Sequence, residues 1–200
     1  MSSDLQTIDS IGPVAEESKD KKPANPVQAE YEEGKRFLEN KEIGQAAVAL
    51  HNALIGFEEM EDEPGVANAS NQLGLVCIAR QEYESALTHF KRTYEICDKS
   101  FDRMSTLSIL KQYIVVYRGL KQYDKAINVC LDMLDRYQDN RDPQGTVFTL
   151  EIMVDIYIDA ENSSKAADTL RTAASIHKNY KHESIAKKLI ERAEELEKNS

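Results

Sequence analysis

The chain has 200 residues, of which 41% are hydrophobic and 30% charged, and its formal net charge is −10 with a pI near 5.0. That balance is typical of one soluble folded unit, while the acidic charge argues against nucleic acid as a partner, because phosphate backbones are bound by clustered lysine and arginine. The sequence has no apolar run long enough to predict a membrane span, and its polar start is not expected to be a secretory signal. Three cysteines without paired spacing predict buried thiols in a reducing compartment, and therefore a cytoplasmic protein.

Residues 1–25 differ from the rest of the chain. They are rich in Ser, Asp, Glu and Lys, contain no aromatic residue and are predicted to be a disordered tail. The tail does carry aliphatic residues at intervals of three, Leu5, Ile8, Ile11 and Val14. This spacing also permits a helix that docks on a partner or in the chain's own groove.

From residue 26 to residue 180 one local pattern recurs every forty residues, without insertion or deletion. Its centre is an alanine, followed at four residues by an apolar one. Three residues before the alanine stands an aromatic or aliphatic residue in the first three copies and Ser163 in the fourth. A second column lies seven residues after the alanine. The two columns are Ala46, Ala86, Ala126 and Ala166, then Ala53, Thr93, Met133 and Ala173. A constant length indicates stacked units of one geometry. We predict four copies, at about 26–61, 62–100, 101–140 and 141–180.

Each copy predicts two helices joined by a short polar break. In the second copy the apolar spacing of three and four predicts one helix from Glu63 to Arg80 and another from Tyr83 to Asp98. A short connection makes the two helices antiparallel neighbours. The alanine column is expected where they cross, since only a Cβ fits at a close crossing. After the fourth copy, Glu183 to Lys198 predicts a capping helix within 181–200, apolar on one side and charged on the other.

The second copy carries a recognisable motif. Leu73-Gly74-x-x-Cys77 followed by Tyr83-x-x-Ala86-x-x-x-Phe90 resembles the tetratricopeptide repeat. That repeat usually has about 34 residues and ends in proline; here the period is forty, and the proline positions hold Glu58, Asp98, Gln138 and Lys178. The forty-residue form resembles repeats of Leu-Gly-Asn-type scaffolds and kinesin light chains, with HEAT-type repeats as the structural alternative. The resemblance implies an all-α, right-handed superhelical α-solenoid of four helix-turn-helix repeats with a C-terminal capping helix.

Nothing in the sequence predicts catalysis. The four histidines lack neighbours at metal-ligand spacing, and His177 and His182 are expected to be solvated. Phosphate-binding loops, nucleophile elbows and His-Glu-x-x-His are absent from the sequence. We therefore expect no enzymatic activity, no cofactor and no metal site.

The resemblance implies a concave wall, lined by the first helix of each copy, that holds a partner's peptide. Carrying the register from copy to copy places these candidate partner-binding residues on the wall: Gln28, Tyr31, Lys35, Asn68, Asn71, Leu75, Ser108, Lys111, Gln112, Val115, Arg118, Phe148, Glu151 and Asp155. The amides suit a peptide backbone, which both donates and accepts hydrogen bonds. Lys111 and Arg118 could receive a carboxylate, and Phe148 is the expected apolar anchor.

The sequence thus favours a non-catalytic protein–protein interaction module that binds a peptide or helix of a partner, as scaffold or assembly factor. The alternative is a regulatory receptor whose groove is toggled by a small signalling peptide or by the N-terminal tail. Neither reading involves nucleic acid or a membrane. Self-association through the second helices is a further alternative that the sequence leaves open; Tyr94, Tyr137 and Tyr180 lie there and are expected to serve packing between repeats.

Overall fold

A computed structural model of the chain describes residues 25–198, which form nine helices and no strand. Each helix packs mainly on its neighbours in the sequence, so that the described chain is one row of antiparallel helices. The bounds are α1 (Pro26–Glu39), α2 (Ile43–Glu59), α3 (Glu63–Ala79), α4 (Tyr83–Lys99), α5 (Arg103–Gly119), α6 (Tyr123–Asp139), α7 (Pro143–Asp159), α8 (Ser163–Asn179) and α9 (Glu183–Lys198).

The forty-residue period has a simple structural origin. Helices α2 to α8 each contain 17 residues, and three residues separate each helix from the next. One helix therefore starts every twenty residues, at 43, 63, 83 and so on to 183. The two helices predicted from the second copy agree with α3 and α4 to within one residue at each end.

All eight connections have the same backbone conformation. In the connection from α5 to α6, the Lys121 N–H donates to the Arg118 carbonyl at 2.9 Å and the Gln122 N–H to the Tyr117 carbonyl at 2.8 Å. These two bonds define a Schellman motif, which ends a helix with one residue in the left-handed region. That residue has φ between 52° and 63° in every connection, and none is glycine: Lys41, Glu61, Gln81, Phe101, Lys121, Arg141, Glu161 and Lys181.

The starts of three odd-numbered helices follow from side-chain caps. Asp62, Asp102 and Asp142 stand forty residues apart, and each carboxylate accepts a backbone N–H three residues later at 2.9–3.1 Å. Such caps satisfy one of the unpaired N–H groups of the first helical turn. The polar residues before α3, α5 and α7 therefore begin these helices, whereas Glu42, Glu82 and Gln122 before α2, α4 and α6 make no side-chain cap.

The alanine column lies in the core, as predicted. Ala46, Ala86, Ala126 and Ala166 are all 0% exposed, and the second column from Ala53 to Ala173 is buried in every copy. The residue four places after each alanine is also buried, and Leu50 in the first copy and Phe90 in the second are 0% exposed. The core is thus a continuous row of helix crossings along the solenoid.

Helix α9 covers the last crossing. Its Ala193 is 0% exposed, and Leu189 and Leu196 pack on a cluster that includes Val154 and Leu170. The Arg171 guanidinium of α8 also donates two hydrogen bonds to the Glu197 carboxylate, at 2.8 and 2.6 Å. Apart from Asn25, the predicted tail lies outside the described residues.

Candidate partner-binding groove

The candidate residues all lie on α1, α3, α5 and α7, the first helices of the four copies. We call the surface that carries them the odd-helix groove. Side chains of successive odd helices touch one another on this surface: Lys111 of α5 reaches Phe148 of α7, and Asp155 of α7 lies 3.8 Å from Arg192 of α9. The tertiary structure therefore joins candidates that lie about forty residues apart in the chain.

Phe148 is the most exposed aromatic candidate. Its ring is 43% exposed, and the Lys111 ammonium lies 4.9 Å from the ring centroid, a distance at which a cation is attracted to an aromatic face. Val115, one helical turn after Lys111, is 45% exposed. Apolar surface is therefore open to solvent in the α5–α7 half of the odd-helix groove.

Arg118 already has a carboxylate partner within the chain. Its Nη2 and Nε atoms lie 2.7 and 2.8 Å from the same Oδ2 of Asp159 on α7. An incoming carboxylate would have to displace Asp159, so the site expected from Lys111 and Arg118 is occupied by the protein itself. The sequence predicted Arg118 on the wall without this partner, because Arg118 and Asp159 belong to different copies.

The candidates of the first copy are engaged with other side chains of the same copy. Tyr31 is only 8% exposed, and its ring packs edge-on against Phe57 with the centroids 6.0 Å apart. Burial raises the pKa of the Tyr31 hydroxyl, which the nearby Lys35 partly offsets. Lys35 and Gln28 both bind the Glu32 carboxylate at 3.0 Å. Tyr31 is thus a core residue rather than part of an open wall, since its ring fills the space beside Phe57.

The amide candidates remain available. Asn68 is exposed, and Asn71 and Gln112 are half-buried. Within residues 25–198 the side chains of these three residues have no hydrogen-bond partner in the protein. Leu75, by contrast, packs against a core cluster, while Ser108 and Glu151 are exposed.

A cavity beside Phe148 was not anticipated from the sequence. It has a volume of about 300 Å³ and lies between the first half of α7, the end of α8 and the turn into α9. We call it the Phe148 pocket; its lining includes Pro143, Val147, Phe148, Glu151, Ile176, His177, Tyr180 and His182. The sequence signal was the apolar character of positions 176 and 180, where the third copy has Arg136 and Asn140.

The two histidines of this lining are in contact with each other. Their Nδ1 atoms lie 3.3 Å apart, and the His182 backbone N–H donates to the His177 carbonyl at 2.9 Å. The five-residue spacing spans the Schellman turn, which is why their side chains meet. His182 is exposed as expected. His177, which was also expected to be solvated, is half-buried and belongs to the pocket wall.

Other kinds of site are not indicated in the described part of the chain. Among residues 25–198 there is no group of three or more His, Cys, Asp or Glu side chains placed to hold a metal ion. Cys77, Cys97 and Cys130 are buried free thiols. No helix in these residues is both long and apolar enough to cross a membrane.

Comparison with known proteins identifies the type of repeat. The human tetratricopeptide repeat protein 29 is 30% identical to this chain over 141 residues, which are 69% of this chain and 29% of that protein. The repeats are of the tetratricopeptide type. The chain spans less than a third of this curated relative, and it matches no protein-family model.

Solved structures share the tetratricopeptide-type fold. The apo form of RapI superimposes with a TM-score of 0.71 at 16% identity, covering 86% of this chain and 64% of that one. Aspartyl phosphate phosphatase F from Bacillus subtilis gives a TM-score of 0.54 at 16% identity, covering 86% of this chain and 49% of that one. At this identity the likeness concerns the fold alone, and it confirms the predicted all-α, right-handed α-solenoid.

Proposed function

We propose that this chain is a non-catalytic interaction module that holds a peptide or helix of a partner protein along the odd-helix groove, as scaffold or assembly factor. The observation that carries the proposal is the combination of amides without protein partners and exposed apolar side chains on one surface. Asn68, Asn71 and Gln112 supply the amides, and Val115 and Phe148 the apolar groups.

The chemistry of this surface suits a peptide. An amide side chain offers two N–H donors and a carbonyl acceptor, so that it pairs with either backbone group of an extended chain whatever the peptide's sequence. Exposed aromatic groups supply the apolar area that dominates most interface energies. A small-molecule substrate would instead require convergent acids, bases or nucleophiles around one point, and the unpaired amides are spread along two helices.

The test is affinity capture from lysate of the source cells with two matched triple variants. One variant, Asn68→Ala/Asn71→Ala/Gln112→Ala, removes the amides of the groove. The control, Ser85→Ala/Asn128→Ala/Gln138→Ala, removes three exposed polar groups from the even-numbered helices α4 and α6. Both should keep the helical circular dichroism of the unmodified protein.

We expect a protein captured by the unmodified chain and by the control to be lost with the groove variant. The assignment of binding to the groove would then be tested directly by titration with that partner. Equal capture by all three proteins would move the binding surface away from the odd helices and overturn the proposal.

A further inference from the structure

The third and fourth copies each have a cavity at the same position of the repeat, but one cavity has a polar lining and the other an apolar one. This place is a cavity between the start of the first helix and the end of the second, of about 310 Å³ in the third copy and about 300 Å³ in the fourth. In the third copy its lining includes Arg103, Leu107, Arg136 and Asn140. Forty residues later the equivalent positions hold Pro143, Val147, Ile176 and Tyr180. The fourth copy thus replaces three polar groups with apolar ones at nearly constant volume.

Phe148 is a further departure at the same place. Its column holds Asn68 in the second copy and Ser108 in the third. Phe148 is 43% exposed and Tyr180 is 55% exposed, although both carry large aromatic rings. Exposed apolar area is unfavourable in water, so two such rings lining one cavity indicate a surface that a partner covers.

The walls of the Phe148 pocket are held in place. Ile176 packs against the core cluster that contains Tyr137 and Leu150. The turn that carries His182 is held to α8 by the bond from its N–H to the His177 carbonyl and by the contact between the two imidazoles. A preformed cavity binds with less ordering cost than one that must open. Its volume stands at the lower end of the range for ligand sites, which suits one bulky side chain better than a cofactor.

The negative charge of Glu151 beside the pocket indicates which second group the bound peptide carries. Glu151 lines the pocket one helical turn after Phe148, and it has no ion-pair partner among residues 25–198. The next acid along α7, Asp155, is 3.8 Å from Arg192 and so only loosely paired. A carboxylate at the edge of an apolar site favours a cationic group on the ligand.

We infer that the Phe148 pocket seats a bulky apolar side chain of a partner peptide, with a lysine or arginine about one turn away that meets Glu151. The inference rests on the proposed function and names the class of peptide that the groove receives.

The test uses three synthetic probes and the methyl resonances of Val147 and Ile176. The probes are the capped peptides acetyl-Phe-Ala-Ala-Arg-amide, acetyl-Ala-Ala-Ala-Arg-amide and acetyl-Phe-Ala-Ala-Glu-amide. We expect the first to shift both methyl signals in a saturable way. The probe without Phe should bind at least about tenfold more weakly, because one large apolar contact is lost. The probe ending in Glu should also bind more weakly, and Glu151→Gln should reduce that difference.

The informative variant is Ile176→Arg/Tyr180→Asn, which installs the residues that the third copy already accommodates at these positions. The variant should bind acetyl-Phe-Ala-Ala-Arg-amide at least about tenfold more weakly than the unmodified protein does. The matched control is Val48→Thr, which replaces an exposed apolar residue of the first copy by the residue of the second copy at that column. The control should bind like the unmodified protein.

The absence of saturable shifts at Val147 and Ile176 with both Phe probes would overturn the inference, as would unchanged binding by Ile176→Arg/Tyr180→Asn. The first result needs no substitution, so a folding defect in the variant cannot obscure it. If the probes do not bind the pocket while the amide variant still loses its captured partner, the proposed groove function stands and the pocket inference is overturned. If the pocket binds its probe but the amide variant loses nothing, the proposed function fails instead.

Discussion

The ring of Phe90 on α4 occupies the space in which residue 74 of α3 would place a Cβ. A Cβ built on Gly74 would lie 2.5 Å from Cε1 of Phe90, and Phe90 is 0% exposed. Gly34 has the same relation to Leu50, at 2.7 Å from its Cγ. In the third copy the two positions hold Ile114 and Cys130, so that the larger residue is on the first helix instead. In the first three copies the larger residue thus comes from one side of the crossing only, whereas the fourth copy has Val154 and Leu170 at these positions.

This relation predicts opposite outcomes for two glycine-to-alanine substitutions. Gly74→Ala should lower the free energy of unfolding by about 1–3 kcal/mol, because a closely packed ring cannot give way without strain. Gly44→Ala should raise it by about 0.5–1 kcal/mol, since a Cβ there meets nothing within 4 Å and alanine favours the helix. Urea unfolding measures both. A Gly74→Ala variant as stable as the unmodified protein would show that the α3–α4 crossing is looser than described.

The alanine column predicts a second pair of variants on α6. Ala126→Leu should overpack the crossing with α5 and destabilise the fold by about 1–3 kcal/mol, because Ala126 is 0% exposed. Asn128→Leu, at an exposed position of the same helix, should change the stability by less than about 0.5 kcal/mol. Thermal unfolding of the two proteins provides the comparison. Equal melting temperatures would contradict the placement of the alanine column at the close helix crossings.

The left-handed residues of the turns predict a stabilising substitution. Lys121 has φ 56°, a conformation that costs a side-chain-bearing residue about 1–2 kcal/mol and glycine very little. After the larger chain entropy of glycine is included, Lys121→Gly should raise the free energy of unfolding by about 0.5–1 kcal/mol. Lys188→Gly, the same change at an exposed position inside α9, should lower it by about 1 kcal/mol. Changes of the same sign in both variants would contradict this account of the turns.

Cys130 predicts a loss of stability in alkali. Burial raises the pKa of its thiol to about 12 in the folded state, against about 8.5 in an unfolded chain. The unfolded state therefore loses this proton first as the pH rises. The stability that the protonated Cys130 thiol contributes to the folded state is fully present below pH about 8.5 and is lost as the pH rises toward about 12. Between pH 8 and 10.5 the free energy of unfolding of the reduced protein should decline more steeply than that of Cys130→Ala. Parallel declines in the two proteins would mean that the Cys130 thiol ionises as readily in the folded state as in the unfolded one.

Much of the fold could be predicted because it repeats. The apolar spacing and the alanine column place α3, α4 and α9 within one residue of their observed ends. The turns were harder to foresee, since none of the eight left-handed residues is a glycine. There the backbone is set by the two flanking helices and the Schellman hydrogen bonds rather than by a residue preference.

The candidate site was less predictable for a different reason. Register alone assigns Tyr31 and Asn68 to the same surface, but Tyr31 lies against Phe57 in the core while Asn68 is open to solvent. Register also cannot show that Arg118 is held by Asp159, because that pair joins helices of different copies. The partner-binding role of the groove residues stays a prediction.

The period, the helix pairs and the buried alanines can be derived from the amino-acid sequence alone. These are local properties, repeated in each copy, and hydrophobic spacing records them directly. Which groove side chains are free, and where a pocket forms, became visible in the folded arrangement of the copies. Those features depend on distances between copies, such as the 4.9 Å from Lys111 to the Phe148 ring, and no single copy contains that information.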